Sequence, residues 1–150
     1  MILLVFIMSY KGIFKPSYPK KYIGDAKNIV YRSLWERRMM RYCDTNEKVL
    51  KWASEEIQIP YYNPVKKRKA RYFPDFYIEY INKNGEKKKM LIEVKPAKET
   101  QPPKYKKKTK STMIAESLYS QNLAKWEAAK EFCIDQGWEF KIMTENDLGV

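Results

Sequence analysis

The chain has 150 residues, enough for one domain with a sizeable core. Its 30 lysines and arginines against 18 acidic residues give a net charge of +12, which favours a polyanionic partner over a merely soluble basic surface. The absence of histidine excludes Ser-His-Asp triads, Cys-His dyads, HExxH zinc sites and HNH-type nucleases. No GxxxxGK[ST] loop is present. The two cysteines, Cys43 and Cys133, are too few for a disulfide framework and are expected to be reduced core thiols.

Residues 1–30 are predicted to form an N-terminal extended arm, followed by a single domain at residues 31–150. The first octet, MILLVFIM, is apolar but too short to span a bilayer, and it lacks the basic region of a signal peptide. Translation could begin at Met8, or the octet could add an edge strand. Glycines and prolines among lysines interrupt the rest of the arm, which could wrap the domain or touch a phosphate backbone.

A first helix is expected to begin near Ser33 and to end near Thr45. Ser33 and Glu36 fit a capping box, which satisfies the free amides of a first helical turn. The apolar residues recur at helical spacing. They are Trp35, Met39 and Tyr42, with Met39, Met40 and Cys43 forming the helical row on which Glu36 lies.

Strands and a second helix are predicted after this point. The stretch EEIQIPY predicts a short strand, and NPVKKRKA a basic loop. RYFPDFYIEYI and KKKMLIEVKP predict two strands joined through NKNGE. A lysine-rich mobile loop follows, then a long helix over STMIAESLYSQNLAKWEAAKEFCIDQG that ends at Gly137. Its expected apolar face comprises Ile114, Leu118, Trp126, Ala129 and Cys133. WEFKIMTE predicts a last strand, and the order αβββαβ indicates an α/β sandwich around a mixed sheet.

The hairpin at NKNGE admits two registers. A two-residue turn at Asn84-Gly85 would set every apolar row against a polar one. A three-residue loop, with Gly85 in the left-handed conformation of a G1 bulge, sets Phe76 opposite Ile92 and Asp75 opposite Glu93. A slip of one residue moves every side chain to the other face, so the apolar pattern favours the bulged loop.

In that register Asp75, Glu93 and Lys95 lie together on one face of the hairpin. Opposed carboxylates repel unless a cation lies between them, and Mg²⁺ prefers carboxylate and phosphate oxygens. Lys95 could orient or deprotonate a water, or neutralise a phosphate. The cluster therefore predicts a metal-assisted phosphodiester hydrolysis site, with an ordinary row of surface charges as the alternative.

The runs PD at 74–75 and EVK at 93–95 resemble the PD-(D/E)xK nuclease motif. Longer segments resemble the head completion proteins of T4-like bacteriophages and the N-terminal nuclease domain of TnsA: GDAKNIVYRSLWE, KARYFPDFYIEY, IEVKPAKETQPP and KWEAAKEFCIDQGWEFKIMTE. The resemblance implies a restriction-endonuclease-like sandwich with a central mixed four-stranded sheet flanked by helices.

The same resemblance implies the roles of individual residues. Asp75 and Glu93 would ligate Mg²⁺, for which Mn²⁺ would substitute, together with the Val94 carbonyl. Lys95 would be the catalytic lysine, and Glu36 an upstream metal or water ligand. On the long helix, Gln121 and Asn122 could face the site, although an ordinary exposed position explains them better.

The expected activity is metal-dependent endonuclease cleavage of double-stranded DNA at the ends of the filled capsid before tail attachment. A catalytically silent plug that grips DNA and the portal is the alternative, and a transposition-type nuclease is a third interpretation. No membrane and no small-molecule cofactor are expected, and the protein would reside in the virion and, during assembly, in the host cytoplasm. The basic residues expected to hold DNA are Lys66, Lys67, Arg68, Lys69, Arg71, Lys106, Lys107, Lys108 and Lys110.

Overall fold

The computed structural model describes residues 11–148, so the apolar octet lies outside the described residues. The strands are β1 (Gly12–Phe14), β2 (Ile29–Tyr31), β3 (Val49–Ser54), β4 (Ile59–Asn63), β5 (Arg68–Tyr72), β6 (Phe76–Ile81), β7 (Lys87–Val94) and β8 (Glu139–Met143). The helices are α1 (Leu34–Thr45), α2 (Lys110–Gln136) and the short α3 (Glu145–Leu148), with single 3₁₀ turns at Pro19–Lys21 and Ala97–Thr100.

Four strands form the central sheet in the order β3-β6-β7-β8. The first three are antiparallel, and β8 runs parallel to β7 because α2 carries the chain back between them. This confirms the predicted mixed four-stranded sheet. The order of α1, the sheet strands and α2 also follows the predicted αβββαβ, with the separate β4–β5 hairpin inserted between β3 and β6.

The sheet is buried on both faces. Phe76, Ile78, Ile92 and Val94 pack against α1 in a first core. Tyr77 and Leu91 point the other way and pack against Trp126, Ala129 and Cys133 of α2 in a second core. Because strand side chains alternate between faces, each layer receives every second residue of β6 and β7. Both cysteines are buried and free, as predicted.

The β6–β7 connection confirms the bulged register. Gly85 has φ +77°, and its amide donates to the carbonyl of Asn82 at 3.1 Å. The Asn82 amide donates to the carbonyl of Glu86 at 2.9 Å, which closes a three-residue loop. Phe76 lies opposite Ile92 and Ile78 opposite Met90.

Both long helices begin and end near the predicted residues. Ser33 caps α1, because its hydroxyl accepts the Glu36 amide at 3.1 Å. Thr109 caps α2 in the same way, and Gly137 ends it at φ +74°.

The segment from residue 11 to residue 31 lies against the domain and is not wholly extended. β1 and β2 form a hairpin, and Phe14, Tyr22 and Ile29 join the first core. Buried Asp44 accepts the amides of Ser17 and Tyr18 at 2.7 and 3.0 Å. These interactions attach the segment to the end of α1.

Three predictions about strands were wrong. The first sheet strand is Val49–Ser54 and not residues 55–61, because Glu55 leaves the strand with φ +55°. The stretch at 63–70 is the turn and second strand of the β4–β5 hairpin, not a loop. The stretch at 71–81 is two strands, broken around Pro74, which has no amide to donate to a ladder.

Two predictions about helix faces were also wrong. Ile114 and Leu118 are 53% and 57% exposed, because the buried residues of α2 all lie in its C-terminal half. On α1, Tyr42 is 51% exposed, whereas Met39, Met40 and Cys43 form the buried row.

Candidate active site

The hairpin register brings Asp75 and Glu93 together just beyond the last paired residues of β6 and β7, where Phe76 faces Ile92. The Asp75 carboxylate accepts the backbone amide of Val94 at 2.7 Å. It also lies close enough to Glu93 for the two carboxyl groups to interact electrostatically. The expectation that these two residues are neighbours across the hairpin is confirmed.

Two further carboxylates approach Asp75 from other elements. Glu36 lies in the first turn of α1, and Glu55 directly follows β3. One carboxylate oxygen from each of Glu36, Glu55 and Asp75 lies within 4.8 Å of the other two. Glu36 therefore points toward Asp75 from the first helix, as expected, while Glu55 is an addition that sequence analysis missed.

Glu55 is held by its backbone and by a cation. Its φ of +55° is unfavourable for a residue with a side chain, and such strain concentrates at functional sites. The Glu55 amide donates to the Asp75 carbonyl at 3.2 Å, which fixes the two chain segments side by side. Arg32 grips the Glu55 carboxylate with two hydrogen bonds, of 3.0 and 3.2 Å.

Glu93 is buried and has two neighbours of its own. The Tyr72 hydroxyl donates to Glu93 Oε1 at 2.9 Å. The Lys95 ammonium lies 3.9 Å from Glu93 Oε2 and is partly exposed. Alternation along one unbroken strand over residues 71–81 would place Tyr72 on the face opposite Asp75. The break at Pro74 instead turns Tyr72 into the second core.

Burial makes it unfavourable in free energy for all the carboxylates of this cluster to be ionised at once. Burial and then the neighbouring Glu93 and Glu36 carboxylates raise the pKa of Asp75 well above its ordinary value. Burial likewise raises the pKa of Glu36, against the hydrogen bond from Ser33. Burial raises the pKa of Glu93 too, although Lys95 and Tyr72 oppose that shift.

The residues fit a divalent metal ion. Hard cations such as Mg²⁺ take oxygen ligands, and here three convergent carboxylates offer them. Among residues 11–148, only Glu55 of these three has a lysine or arginine within 4.0 Å. The raised pKa values of Asp75 and Glu36 agree with this excess of negative charge. A bound cation would favour the ionised carboxylates and lower both pKa values. The Val94 carbonyl remains only a predicted ligand, because the hydrogen bond seen at Val94 is made by its amide.

The predicted DNA-binding residues form two exposed groups, which we call the basic hairpin and the lysine loop. The basic hairpin carries Lys66, Lys67, Arg68, Lys69 and Arg71 around the β4–β5 turn. The lysine loop carries Lys106, Lys107 and Lys108 before α2, with Lys110 at its first turn.

The tip of the basic hairpin is anchored by one buried side chain. The side-chain Oδ1 of Asn63 accepts the backbone amides of Val65 and Lys66, both at 3.0 Å. The Asn63 amide group donates to Gln121 Oε1 of α2 at 2.9 Å. Gln121 thus holds the hairpin, while Asn122 lines a separate groove beside the lysine loop.

Glu55, Tyr72 and Lys125 also lie near this site, although none of the three was predicted from the sequence. A strand ending at Ser54 would have placed Glu55 beside Asp75, but the apolar run at 57–61 drew the strand prediction away. Lys125 follows Gln121 by four residues, so the two share a helix face. That spacing was the available signal for Lys125.

The model of the TnsA-like endonuclease N-terminal family matches residues 46–145. The chain belongs to this family of nuclease domains. The Head completion nuclease of Enterobacteria phage T4 is 36% identical over 148 residues, and the alignment covers 94% of this chain and 95% of the phage protein. Within residues 11–148, no helix is both long and apolar enough to cross a membrane.

Proposed function

We propose that this protein is a Mg²⁺-dependent DNA endonuclease, in which Mn²⁺ can replace Mg²⁺. The observation that carries the proposal is the convergence of the Glu36, Glu55 and Asp75 carboxylates next to the Glu93–Lys95 pair. A structural ion-pair network would match these carboxylates with cations. Here Arg32 forms an ion pair with Glu55, and Lys95 forms one with Glu93. Among the described residues, Asp75 and Glu36 have no lysine or arginine within ion-pair distance.

The metal would be held by Asp75 and Glu36, with Glu93 and the Val94 carbonyl as predicted from sequence and Glu55 added by the geometry. When bound, the metal would lower the pKa of a water and stabilise negative charge on the phosphate. Glu55 would be positioned for this by Arg32 and by its own backbone conformation.

Lys95 would act on the attacking water and on the phosphate, and Glu93 and Tyr72 would hold it in position. Tyr72 occupies one oxygen of Glu93 with a hydrogen bond, which leaves the other oxygen toward Lys95. As an ammonium, Lys95 would orient the water and place a positive charge beside the phosphate. A neutral Lys95 amine would instead accept the proton of the water and become the ammonium. Such groups stabilise the transition state best when they are held in position before the reaction, as the buried Glu93 would hold Lys95.

The basic hairpin and the lysine loop would hold the DNA backbone. Both groups consist of exposed lysines and arginines. Such side chains suit contacts with DNA phosphates, which carry no sequence information. The anchored Asn63 would set the direction of the hairpin relative to α2.

The setting we propose is the completion of a phage head, because the T4 relative is named a head completion nuclease and aligns over nearly its whole length. The protein would process or bind the DNA ends of a filled capsid before tail attachment. It would be present in the virion, with the portal or other capsid proteins as partners.

A nicking assay on supercoiled plasmid tests the activity. Wild-type protein should nick DNA with Mg²⁺ or Mn²⁺ and lose activity in EDTA. Asp75→Asn and Glu93→Gln should each lower the rate by about 10²-fold or more. Glu131→Gln, which removes an exposed carboxylate on α2, is the matched control and should cleave like the wild type.

Wild-type protein that never cleaves plasmid, branched or single-stranded substrates with either metal would contradict the endonuclease. Tight DNA binding under those conditions would then favour a virion plug built on a nuclease fold.

A further inference from the structure

A lysine outside the PD-(D/E)xK motif lies beside the candidate site. Lys125 is on α2, one turn after Gln121, whose side chain is hydrogen-bonded to Asn63 of the basic hairpin. The spacing of four residues puts both side chains on the same face of the helix. This face of α2 is therefore attached to the hairpin and directed toward the site.

The Lys125 ammonium lies over an aromatic ring that belongs to the site. Its nitrogen is 5.9 Å from the centroid of Tyr72, and the hydroxyl of the same ring donates to Glu93. The ring attracts a cation through its face. Lys125 is consequently directed by the residue that also orients Glu93.

The charged groups that influence Lys125 belong to both the candidate site and the basic hairpin. Its burial lowers the pKa of Lys125, while the carboxylates of Glu93 and Asp75 favour its charged form, and Lys95 and Lys66 oppose it. All four groups are thus near enough for electrostatic interaction. Lys66 belongs to the hairpin tip and Lys95 to the motif, so Lys125 interacts electrostatically with charged groups of both.

Within the described part of the chain, Lys125 has no carboxylate within 4.0 Å and no hydrogen-bond partner for its ammonium. Burying part of a charged side chain without such a partner is unfavourable. A phosphate group would supply the missing acceptor.

Resting on the proposed nuclease function, we propose that Lys125 is a catalytic residue that binds the phosphate in the active site and links the basic hairpin to the metal-binding carboxylates. Together, Lys66, Lys125 and Lys95 form a continuous path for one DNA strand. Tyr72 is a positioning residue in this path, because it acts on DNA only through Lys125 and Glu93.

The first test measures DNA binding in EDTA, where no metal contributes. Lys125→Met keeps the apolar stem over Tyr72 and removes the charge. Loss of one phosphate contact should make the slope of log K against log salt shallower by about 0.9. The affinity of the variant relative to wild type should therefore fall by about eight-fold for each ten-fold dilution of salt. Lys130→Met, on the exposed side of the same helix, is the matched control with the same change in net charge.

The second test measures cleavage with Mg²⁺ and Mn²⁺. Lys125→Met should lower the rate at saturating DNA by about 10²-fold, whereas Lys125→Arg should restore most of both the rate and the salt slope. A thermal melt of each variant separates folding defects from these effects. If Lys125→Met binds and cleaves like Lys130→Met, or loses cleavage with an unchanged salt slope, the proposed phosphate-binding role is wrong.

The two proposals fail in different ways. Should the wild type not cleave with either metal, the nuclease proposal fails, but the salt slope still measures phosphate binding by Lys125. Should the wild type cleave while Lys125→Met keeps the wild-type slope and rate, only the role of Lys125 fails.

Discussion

Replacing Asp75 by Asn should stabilise the metal-free protein at neutral and alkaline pH. The amide oxygen of Asn can still accept the Val94 amide, so the hydrogen bond at 2.7 Å can be retained. The charge that interacts with Glu36 and Glu93 is removed. An active site assembled for a metal is expected to be strained without it, and relieving that strain usually raises stability at the expense of activity.

The size of the effect follows from the spacing of the carboxylates. Two full charges within 4.8 Å of each other repel by at least about 3.5 kcal/mol at an effective dielectric constant of ~20. Solvent screens part of this repulsion, because Asp75 is only partly buried. We therefore expect a gain of about 2 kcal/mol at pH 8, which raises Tm by about 4–8 °C.

The pH dependence has a definite sign. The pKa values of Asp75 and Glu36 are raised in the folded protein. Their contribution to stability is complete below the unfolded pKa, near 4, and is lost as the pH rises through the folded pKa. The advantage of Asp75→Asn should therefore be small at pH 4 and should grow toward pH 8.

Thermal melts in EDTA between pH 4 and pH 8 measure this effect, with Asp135→Asn on the exposed side of α2 as the control. Addition of Mg²⁺ or Mn²⁺ at 100 times Kd should then stabilise the wild type by about 2.7 kcal/mol and raise its Tm. The Tm of Asp75→Asn should rise much less. A lower Tm for Asp75→Asn at pH 8 in EDTA would refute the reasoning, since it would make Asp75 an ordinary structural hydrogen-bond acceptor.

Two further predictions concern DNA binding and the turn. Reversing the charge of Lys66, Lys67 and Arg68 should weaken binding to all DNA sequences alike, and it should lower the slope of log K against log salt by about 0.9 for each phosphate that is no longer neutralised. The control reverses the exposed Lys27, Lys83 and Lys130. An equal response of the two variants would mean that DNA binds to another surface. Gly85→Ala should lower the free energy of unfolding in urea by about 1 kcal/mol, because alanine is unfavourable at a φ of +77°. No atom lies within 4 Å of the added Cβ, so no steric clash should add to this cost. No loss of stability there would mean that the loop adopts another turn.

Local sequence patterns determined the part of the site that lies within one hairpin. The apolar alternation of Phe76, Ile78, Met90 and Ile92 leaves one register in which both rows are buried, and Gly85 supplies the left-handed turn that this register needs. Asp75 and Glu93 follow from that register without any long-range information. Ser33 likewise predicted the start of the helix that carries Glu36, because capping depends on residues three apart.

Only the tertiary structure decided which distant groups complete the site. Glu55 reaches Asp75 because β3 pairs with β6, and the sequence contained a competing apolar run that predicted the wrong strand. Tyr72 joined Glu93 through the break at Pro74, which no alternation rule describes. Lys125 approaches them because α2 packs across the sheet. Pairing and packing between segments far apart in the chain depend on the combined burial of many side chains, and no single window of sequence contains that information.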